Sequence, residues 1–196
     1  MPRQVDHAQR RAELAEAVWR VARRSGVSAL TVRAVAKEAG WTAGIVQHYF
    51  PRKHDLLQHA FELVQRRTVE RIERIAADEP PERVLEATIL TLLPLDADIE
   101  AESEVWFSFL GLAAGDPGLR ATAQRGHHEL LALITANAQR AAAAGWLRRD
   151  LDPHDVAGDL LAFADGLVVQ ALFRGGAVDA TALAAAVERR LADLAA

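Results

Sequence analysis

Apolar residues recur at intervals of three and four along almost the whole of this 196-residue chain, and no segment shows the sustained alternation of a strand. Intervals of three and four place side chains on one face of a helix, whereas a half-buried strand uses every second residue. The chain is therefore predicted to be all-α, with about nine helices. Its apolar content of 51% is sufficient for a substantial core.

Glycines, prolines and capping residues mark the predicted helix ends. Gly26 and Gly40 follow two apolar stripes, as glycine does when it takes the left-handed position after a last turn. The pair Pro80-Pro81 is the strongest boundary, because proline cannot continue a helix. Asp116-Pro117 and Asp152-Pro153 each place a capping carboxylate before a proline at a first helical position. Beyond this boundary the predicted helices cover about residues 83–93, 97–114, 117–144, 153–174 and 180–195, with Gly145 and Gly175-Gly176 as stops.

The amino-terminal part is predicted to hold three short helices and the start of a long fourth. The first carries an apolar stripe from Leu14 to Ala22, and Thr31 and Thr42 are N-caps for the second and third. The third helix runs to about His48, and the fourth begins near Pro51. This pattern predicts a helix-turn-helix domain over residues 6–66, with the motif itself at 31–50, followed by a larger helical domain over 67–196.

Charge is divided unevenly between the two parts. Residues 1–55 hold ten Lys and Arg against five Asp and Glu, a charge of +5, while the rest of the chain carries −9 of the total −4. A basic head favours a polyanionic partner such as nucleic acid. A net charge of +5 over 55 residues can also arise by chance. The charge division alone therefore does not distinguish a nucleic-acid-binding head from a chance distribution.

Several classes of protein are excluded by what the sequence lacks. It has no cysteine, which excludes disulfide scaffolds and thiolate chemistry. No run of 18 apolar residues and no apolar leader are present, so a cytoplasmic protein with no membrane association is predicted. It also lacks a G-x-S-x-G elbow, a P-loop and a dinucleotide fingerprint, and its seven histidines form no ligand set. No catalytic residue, cofactor or metal is predicted.

The second and third helices are joined by the turn Ala39-Gly40-Trp41-Thr42, which is typical of a helix-turn-helix. Gln47 has an amide that can both donate to and accept from a base edge, while Tyr49 and Lys53 suit phosphate contacts. The alternative is that the aromatic residues here are only core. The predicted DNA contacts are Thr31, Arg33, Thr42, Ala43, Gly44, Gln47, His48, Tyr49 and Lys53.

The segment from Thr31 to Lys53 resembles the DNA-binding signature of TetR-family transcriptional regulators. The shared features are a threonine opening the second helix, Ala-Gly at the turn, glycine in the third helix, the His-Tyr-Phe triplet, and lysine followed by Asp-Leu-Leu. With the preceding helix the resemblance covers about residues 8–65. Two residues depart from it: Gln47 stands where most members have tyrosine, and Trp41 replaces a small aliphatic residue. Both departures are expected to affect which operator sequence is recognised.

The carboxy-terminal part is similar to the choline-responsive betaine-pathway repressor subgroup, through Trp106-Phe107, Asp116–Arg120 and Asp165-Gly166-Leu167. The resemblance implies a dimeric repressor that is released from a palindromic double-stranded operator by a small-molecule effector. Activation in place of repression stays open. So does a second function, a helical protein-interaction module without DNA binding, which would lack the steep salt dependence that DNA phosphates impose.

The helix predicted over 153–174 is apolar on two faces, which indicates burial against its own core and against a partner. The predicted dimer interface comprises Val156, Leu160, Leu161, Val168, Leu172, Leu183, Val187 and Leu191. The predicted ligand pocket comprises Trp106, Phe109, Leu110, Phe163, Asp165 and Val169. The aromatic members can equally be ordinary core, and Asp165 can instead hydrogen-bond a neighbouring helix or the dimer mate.

Five carboxylates precede Trp106. They are Asp96, Asp98, Glu100, Glu102 and Glu104. The simpler interpretation is a solvated helix start, where the macrodipole favours negative charge. The alternative is attraction of a cationic effector, for which Trp106 offers an aromatic face. The effector is therefore expected to be cationic or hydrophobic.

Overall fold

The structure is a computed structural model that describes residues 2–174 and 179–196, without the side chains of residues 2–8 and 11. Over these residues the chain forms nine α-helices and no β-strand, so the all-α prediction is confirmed. The predicted stop at Gly175-Gly176 lies outside the described residues. The helices are α1 (Pro2–Ser25), α2 (Val32–Ala39), α3 (Ala43–Tyr49), α4 (Lys53–Asp78), α5 (Val84–Leu90), α6 (Ala97–Ala113), α7 (Pro117–Ala143), α8 (Pro153–Phe173) and α9 (Ala180–Ala192).

The predicted aspartate caps are present at α7 and α8. Asp116 Oδ1 accepts from the backbone N–H groups of Gly118 at 2.8 Å and Leu119 at 3.0 Å. Asp152 does the same for His154 at 2.7 Å and Asp155 at 3.3 Å. These bonds satisfy helix N–H groups that have no intrahelical acceptor. The bond from Leu119, ahead of other causes, lowers the pKa of Asp116.

Two helices are shorter than predicted. α9 ends at Ala192, not near residue 195, because the chain terminus pairs with the segment after α7: the Arg148 N–H donates to the Leu194 carbonyl at 3.0 Å, and the Ala196 N–H to Trp146 at 2.8 Å. α5 ends at Leu90, not near residue 93. Pro94 follows closely and disfavours helical backbone at the residue before it.

The chain forms two compact units. One comprises the residues up to Gln65 together with Glu104–Arg120, and the other comprises Arg66–Ser103 and Ala121–Ala196. The break after Gln65 lies one residue from the predicted domain boundary, but the inclusion of Glu104–Arg120 in the first unit was not predicted. The reason is aromatic packing: the Phe61 ring stacks on Trp106 and Phe109, with centroids 5.1 Å and 4.0 Å apart.

The core of the first unit is built on the predicted stripe of α1. Leu14, Ala17, Val18, Val21 and Ala22 are all at most 2% exposed. On the surface, Arg20 and Arg24 of α1 each approach a carboxylate oxygen of Glu38 on α2 to 2.8 Å. Hydrogen bonds from Arg20 and then Arg24 lower the pKa of Glu38. Apolar burial and this ion pair together hold α2 against α1.

The core of the second unit lies among α4, α7 and α8. Its central cluster consists of Ile72, Leu130, Ile134, Ala157 and Leu161. Within the described residues, α8 is the helix that is long and apolar enough to cross a membrane by length and composition. Six of its side chains are buried in the chain's own core.

The second unit also buries an ion pair. Glu102 of α6 is 5% exposed and accepts from the Arg71 guanidinium of α4 at 2.6 Å, with Arg67 at 4.0 Å. Arg71 also donates to the Thr68 hydroxyl at 3.2 Å. A buried carboxylate needs such partners because it has lost its hydration. The pair therefore specifies how α6 lies on α4 within this unit.

We expect Glu102→Ala to lower the free energy of unfolding by about 2–4 kcal/mol, because it leaves Arg71 partly buried without its charge partner. The matched control is Glu104→Ala, which removes an exposed carboxylate two residues later and should change stability by less than about 0.5 kcal/mol. Urea unfolding at fixed protein concentration measures both. Equal stability of the two variants would contradict a structural role for the ion pair.

Candidate nucleic-acid interface

The geometry of the helix-turn-helix depends on how α2 ends. Gly40 has φ +70°, and its N–H donates to the Lys37 carbonyl while that of Trp41 donates to the Ala36 carbonyl at 2.9 Å. These two bonds form a Schellman motif, which requires left-handed backbone that glycine adopts without strain. α3 then begins at once, because the Thr42 hydroxyl accepts from the Ile45 N–H at 3.4 Å. The predicted cap on α2 is present as well, from the Thr31 hydroxyl to the Ala34 N–H at 3.1 Å.

The faces of α3 are set by one buried residue. Val46 is 0% exposed and, with Phe50 at 7%, attaches the helix to the core. Gly44 and His48 lie two residues to either side of Val46, roughly 200° around the helix, and therefore point away from the core. Ile45 and Gln47 lie on the two flanks, roughly 100° from Val46. The outward face of α3 is thus a glycine and a histidine with one apolar and one amide side chain beside them.

The structure brings the nine predicted DNA contacts together on the first unit, at α2, α3 and the start of α4. Eight of them are exposed and available to a ligand: Thr31, Arg33, Thr42, Ala43, Gly44, Gln47, His48 and Lys53. Tyr49 is half-buried, with its ring 6.3 Å from that of Trp41 and 5.7 Å from that of His48. Trp41, one of the two departures from the family pattern, is itself half-buried beside Tyr49.

The corner between α3 and α4 adds positive charge to this face. Arg52 is oriented by Asp55, which accepts from its backbone N–H at 2.8 Å and from its guanidinium at 3.1 Å. Lys53 is the first residue of α4 and is exposed. A cation on an ordered helix start is well placed for a phosphate.

Ile45 belongs to this face but was not predicted to. It is 44% exposed, and it lines an open groove of about 420 Å³ between α1 and the start of α3. The other residues of the groove are Gln9, Arg10, Glu13, Gly40, Trp41 and Thr42. The helical spacing that places Val46 and Phe50 on the core side of α3 places Ile45 outside the core. The exposure of Ile45 could therefore have been predicted from the sequence.

The predicted ligand residues are divided between the two units. Trp106, Phe109 and Leu110 lie in the first, where Phe109 is fully buried and Trp106 is half-buried against Phe61. Phe163, Asp165 and Val169 lie in the second, all on α8. Phe163 is half-buried and Val169 is 36% exposed.

Asp165 is the unusual member of this set. It is half-buried on an otherwise apolar helix, and burial raises the pKa of its carboxyl, while the charge of His127 on α7 acts in the opposite direction. The second unit therefore keeps a carboxylate in surroundings that disfavour its ionised form.

Two of the five acidic residues before Trp106 have structural roles, while Asp98, Glu100 and Glu104 are exposed. Asp96 caps α6, accepting from the backbone N–H groups of Asp98 at 2.8 Å and Ile99 at 2.9 Å. Glu102 is not solvated, contrary to the simpler interpretation, because it is buried in its ion pair with Arg71. Across the described residues no group of three or more His, Asp or Glu side chains is arranged to hold a metal ion.

The predicted dimer residues lie mainly inside the protomer. Six of the eight are at most 5% exposed within one chain, so their apolar surface is already removed from water: Val156, Leu160, Leu161, Val168, Val187 and Leu191. Leu172 and Leu183 are half-buried. Most of the two apolar faces of α8 is covered by the chain's own core, while Phe163 and Leu167 on those faces are half-buried. These six are therefore core residues of the protomer.

Family comparisons agree with this arrangement. Residues 14–60 match the family described as bacterial regulatory proteins, tetR family. Residues 81–196, more than half of the chain, match the BetI-type transcriptional repressor C-terminal domain.

Individual relatives span different shares of the chain. It is 41% identical over 115 residues to the HTH-type transcriptional regulator PksA of Bacillus subtilis, a match covering 58% of this chain and 56% of PksA. It is 29% identical over 176 residues to the regulator BetI of Burkholderia thailandensis, covering 88% and 87%. A solved regulator from Saccharomonospora viridis, in complex with choline, has the same fold with a TM-score of 0.85 at 19% identity, covering 96% and 99%. The chain thus belongs to the TetR family and is a DNA-binding transcriptional repressor, not an enzyme.

Proposed function

We propose that this repressor acts in the cytoplasm as a homodimer on a palindromic operator, and that a cationic small molecule releases it. One α3 reads only a few base pairs, so two copies about 34 Å apart, or a multiple of one DNA turn, are needed for a specific site. Release follows if the effector prefers a dimer geometry in which the two reading heads no longer match that spacing.

The observation that carries the DNA-reading surface is Gly44. Its φ is not positive, and a Cβ built at this position meets nothing within 4 Å in the chain. Neither backbone conformation nor packing therefore requires glycine here, although glycine inside a helix costs about 0.5–1 kcal/mol relative to alanine. We attribute the glycine to close approach of another molecule, because Gly44, unlike the equally unconstrained Gly111, lies on the exposed face of α3 in the helix-turn-helix. Gly44 lies opposite Val46, where the helix would meet the floor of a major groove.

The flanking side chains then have distinct roles. Gln47 is placed to hydrogen-bond a base edge, and Lys53, Tyr49, Thr31 and Arg33 to contact the phosphates on either side. The direct test is fluorescence anisotropy with the DNA upstream of the protein's own gene against a scrambled duplex, with salt varied. Tight binding to the natural duplex that weakens steeply with salt supports the proposal. Equal, salt-insensitive binding to both duplexes contradicts it.

We expect Gly44→Ala to stabilise the fold by at most about 1 kcal/mol and to weaken operator binding by about 10-fold or more, because the new methyl group stands between α3 and the groove floor. Gly111→Ala is the matched control: Gly111 is an exposed helical glycine on α6 with the same open space around a built Cβ. It should give a similar stabilisation without loss of binding. Undiminished operator affinity in Gly44→Ala would exclude close approach at this position.

The dimer is proposed to form through the outer stripe of α8, defined as Ala162, Gly166, Val169 and Phe173. These residues follow one another at intervals of four, three and four, on the side of α8 opposite its buried residues. Phe173 is 83% exposed, and a Cβ at Gly166 meets nothing within 4 Å. Small residues next to an exposed aromatic side chain allow a second helix to approach closely and bury that ring.

Phe173→Glu is expected to weaken dimerisation by about 10-fold or more, because a charge replaces an aromatic anchor. Sedimentation equilibrium measures the dissociation constant. Leu112→Glu is the control, since Leu112 is also a large exposed apolar residue, at 40%, but lies on α6. If both variants dimerise as the wild type does, the outer stripe is not the interface.

The effector is proposed to be a cation that pairs with Asp165. Support comes from the BetI type of the C-terminal domain, from the choline bound by the Saccharomonospora viridis regulator, and from the partly buried carboxylate itself. A cation beside Asp165 would offset the cost of ionising it in these surroundings. Asp96 and Glu102 are already engaged as a cap and in an ion pair, which leaves Asp165 as the stronger candidate for this role.

Asp165→Asn should melt at a higher temperature than the wild type at pH 7. Burial raises the pKa of Asp165 in the folded state. Where the carboxyl is protonated in both the folded and the unfolded protein, it does not lower the free energy of unfolding. As pH rises through the raised pKa, ionisation of the partly buried carboxyl lowers that free energy. The difference should therefore vanish near about pH 4, where the unfolded-state group also becomes protonated. Calorimetry across this range measures it. The control is Asp159→Asn, which removes an exposed carboxylate of α8 that pairs with Arg190 at 3.6 Å and should give no stabilisation at pH 7.

The same variant tests the effector. Choline is expected to release the wild type from its operator, and Asp165→Asn to require an effector concentration about 10-fold higher or more. Lower thermal stability of Asp165→Asn at pH 7 would mean that the carboxylate serves the fold. Unchanged release by choline would remove Asp165 from the effector site.

A further inference from the structure

Ile45 is an apolar side chain on a surface otherwise made of polar and small groups. It is 44% exposed in the first turn of α3, and its own N–H is held by the Thr42 hydroxyl at 3.4 Å. A single exposed isoleucine is common on protein surfaces and carries no meaning by itself. This one lies beside Gly44 and one helical turn from His48, within the face through which the repressor meets DNA.

The chemistry of the major groove limits what Ile45 can contact there. An isoleucine side chain has no donor or acceptor, so it can neither bind a phosphate nor pair with the polar edges of guanine, cytosine or adenine. Placed against such an edge it would remove water without replacing the lost hydrogen bonds. Thymine alone of the four bases presents a methyl group in the major groove, on its C5 atom.

Side-chain stiffness makes this contact specific. Isoleucine is branched at Cβ and has one strongly preferred χ1 rotamer in a helix, so its methyl groups are held in one direction before DNA arrives. Ile45 and Gln47 lie on opposite flanks of the ridge formed by Gly44 and His48, roughly 200° apart around the helix. The two side chains are therefore directed at different base pairs.

We propose that Ile45 reads a thymine in each half-site of the operator through van der Waals contact with its C5 methyl group, next to the base pair read by Gln47. This rests on the proposed DNA-reading role of α3 and adds to it the identity of one base. It makes Ile45 a specificity-determining residue, while Gln47 and the phosphate contacts supply the remaining recognition.

The experiment uses the duplex that the wild-type protein protects in footprinting, with each thymine replaced singly, in both half-sites, by deoxyuridine. This change removes only the methyl group and leaves base pairing intact. At one symmetry-related position, wild-type affinity should fall about 4-fold per half-site, the value for one methyl group removed from an apolar contact. At the other thymines the affinity should stay within about 2-fold.

Three variants assign the effect to Ile45. Ile45→Ala should bind the thymine and deoxyuridine duplexes equally at that position, whereas Ile45→Val, which keeps the branched Cβ, should still distinguish them. Gln47→Ala should also keep the distinction, because it reads another base pair. Thermal melts check that the exposed substitution leaves the fold intact.

The outcomes separate this inference from the function on which it rests. Tight binding of the unmodified duplex with no thymine at which deoxyuridine matters overturns the role of Ile45 and leaves the DNA-reading function in place. Persistence of the deoxyuridine effect in Ile45→Ala assigns the methyl contact to another residue and likewise overturns it. Failure to bind any unmodified upstream duplex at low salt would overturn both, and it is visible before any modified DNA is used.

Discussion

The turn at Gly40 is the constraint on which DNA recognition by this protein depends. Left-handed backbone at Gly40 ends α2, and the Thr42 hydroxyl starts α3 two residues later, so the angle between the two helices is determined by local hydrogen bonds. Burial of Val46 and Phe50 then fixes the rotation of α3 about its axis. Gly44, Ile45, Gln47 and His48 can point outward together only because both the angle and the rotation are set.

A different kind of interaction organises the second unit. Its helices are held by apolar packing, but polar contacts between helices add directional specificity, as in the Arg71–Glu102 ion pair and the hydrogen bond from Asn137 to the Thr88 hydroxyl at 3.0 Å. Both join groups from different helices away from water, where a lost partner is costly. Asp165 is the exception, since burial opposes the ionisation of its carboxyl.

The difference between predicted and observed roles is clearest on α8. Its two apolar faces were visible in the sequence, and the expectation was that one would face a partner. In the structure Leu161 and Val168 are buried within the protomer, as are residues on the other face. Periodicity reports that a face is buried, but not what covers it, because a neighbouring helix and a second subunit present the same apolar surface. The outer stripe contains the small residues Ala162 and Gly166, so its apolar periodicity is too weak to be recognised in the sequence.

The sequence by itself determined the all-α class, the caps at Asp116 and Asp152, the turn at Gly40 and the DNA-reading segment. These features depend on residues within a few positions of one another, where backbone geometry and local hydrogen bonds dominate. Only the tertiary structure decided that Glu102 is buried against Arg71, that α6 contributes Trp106 and Phe109 to the first unit, and that Val156, Leu160, Leu161 and Val168 of α8 are buried within one chain. Those outcomes depend on which distant segments meet, and a carboxylate or a leucine has the same local pattern whether it faces water, its own core or a second chain.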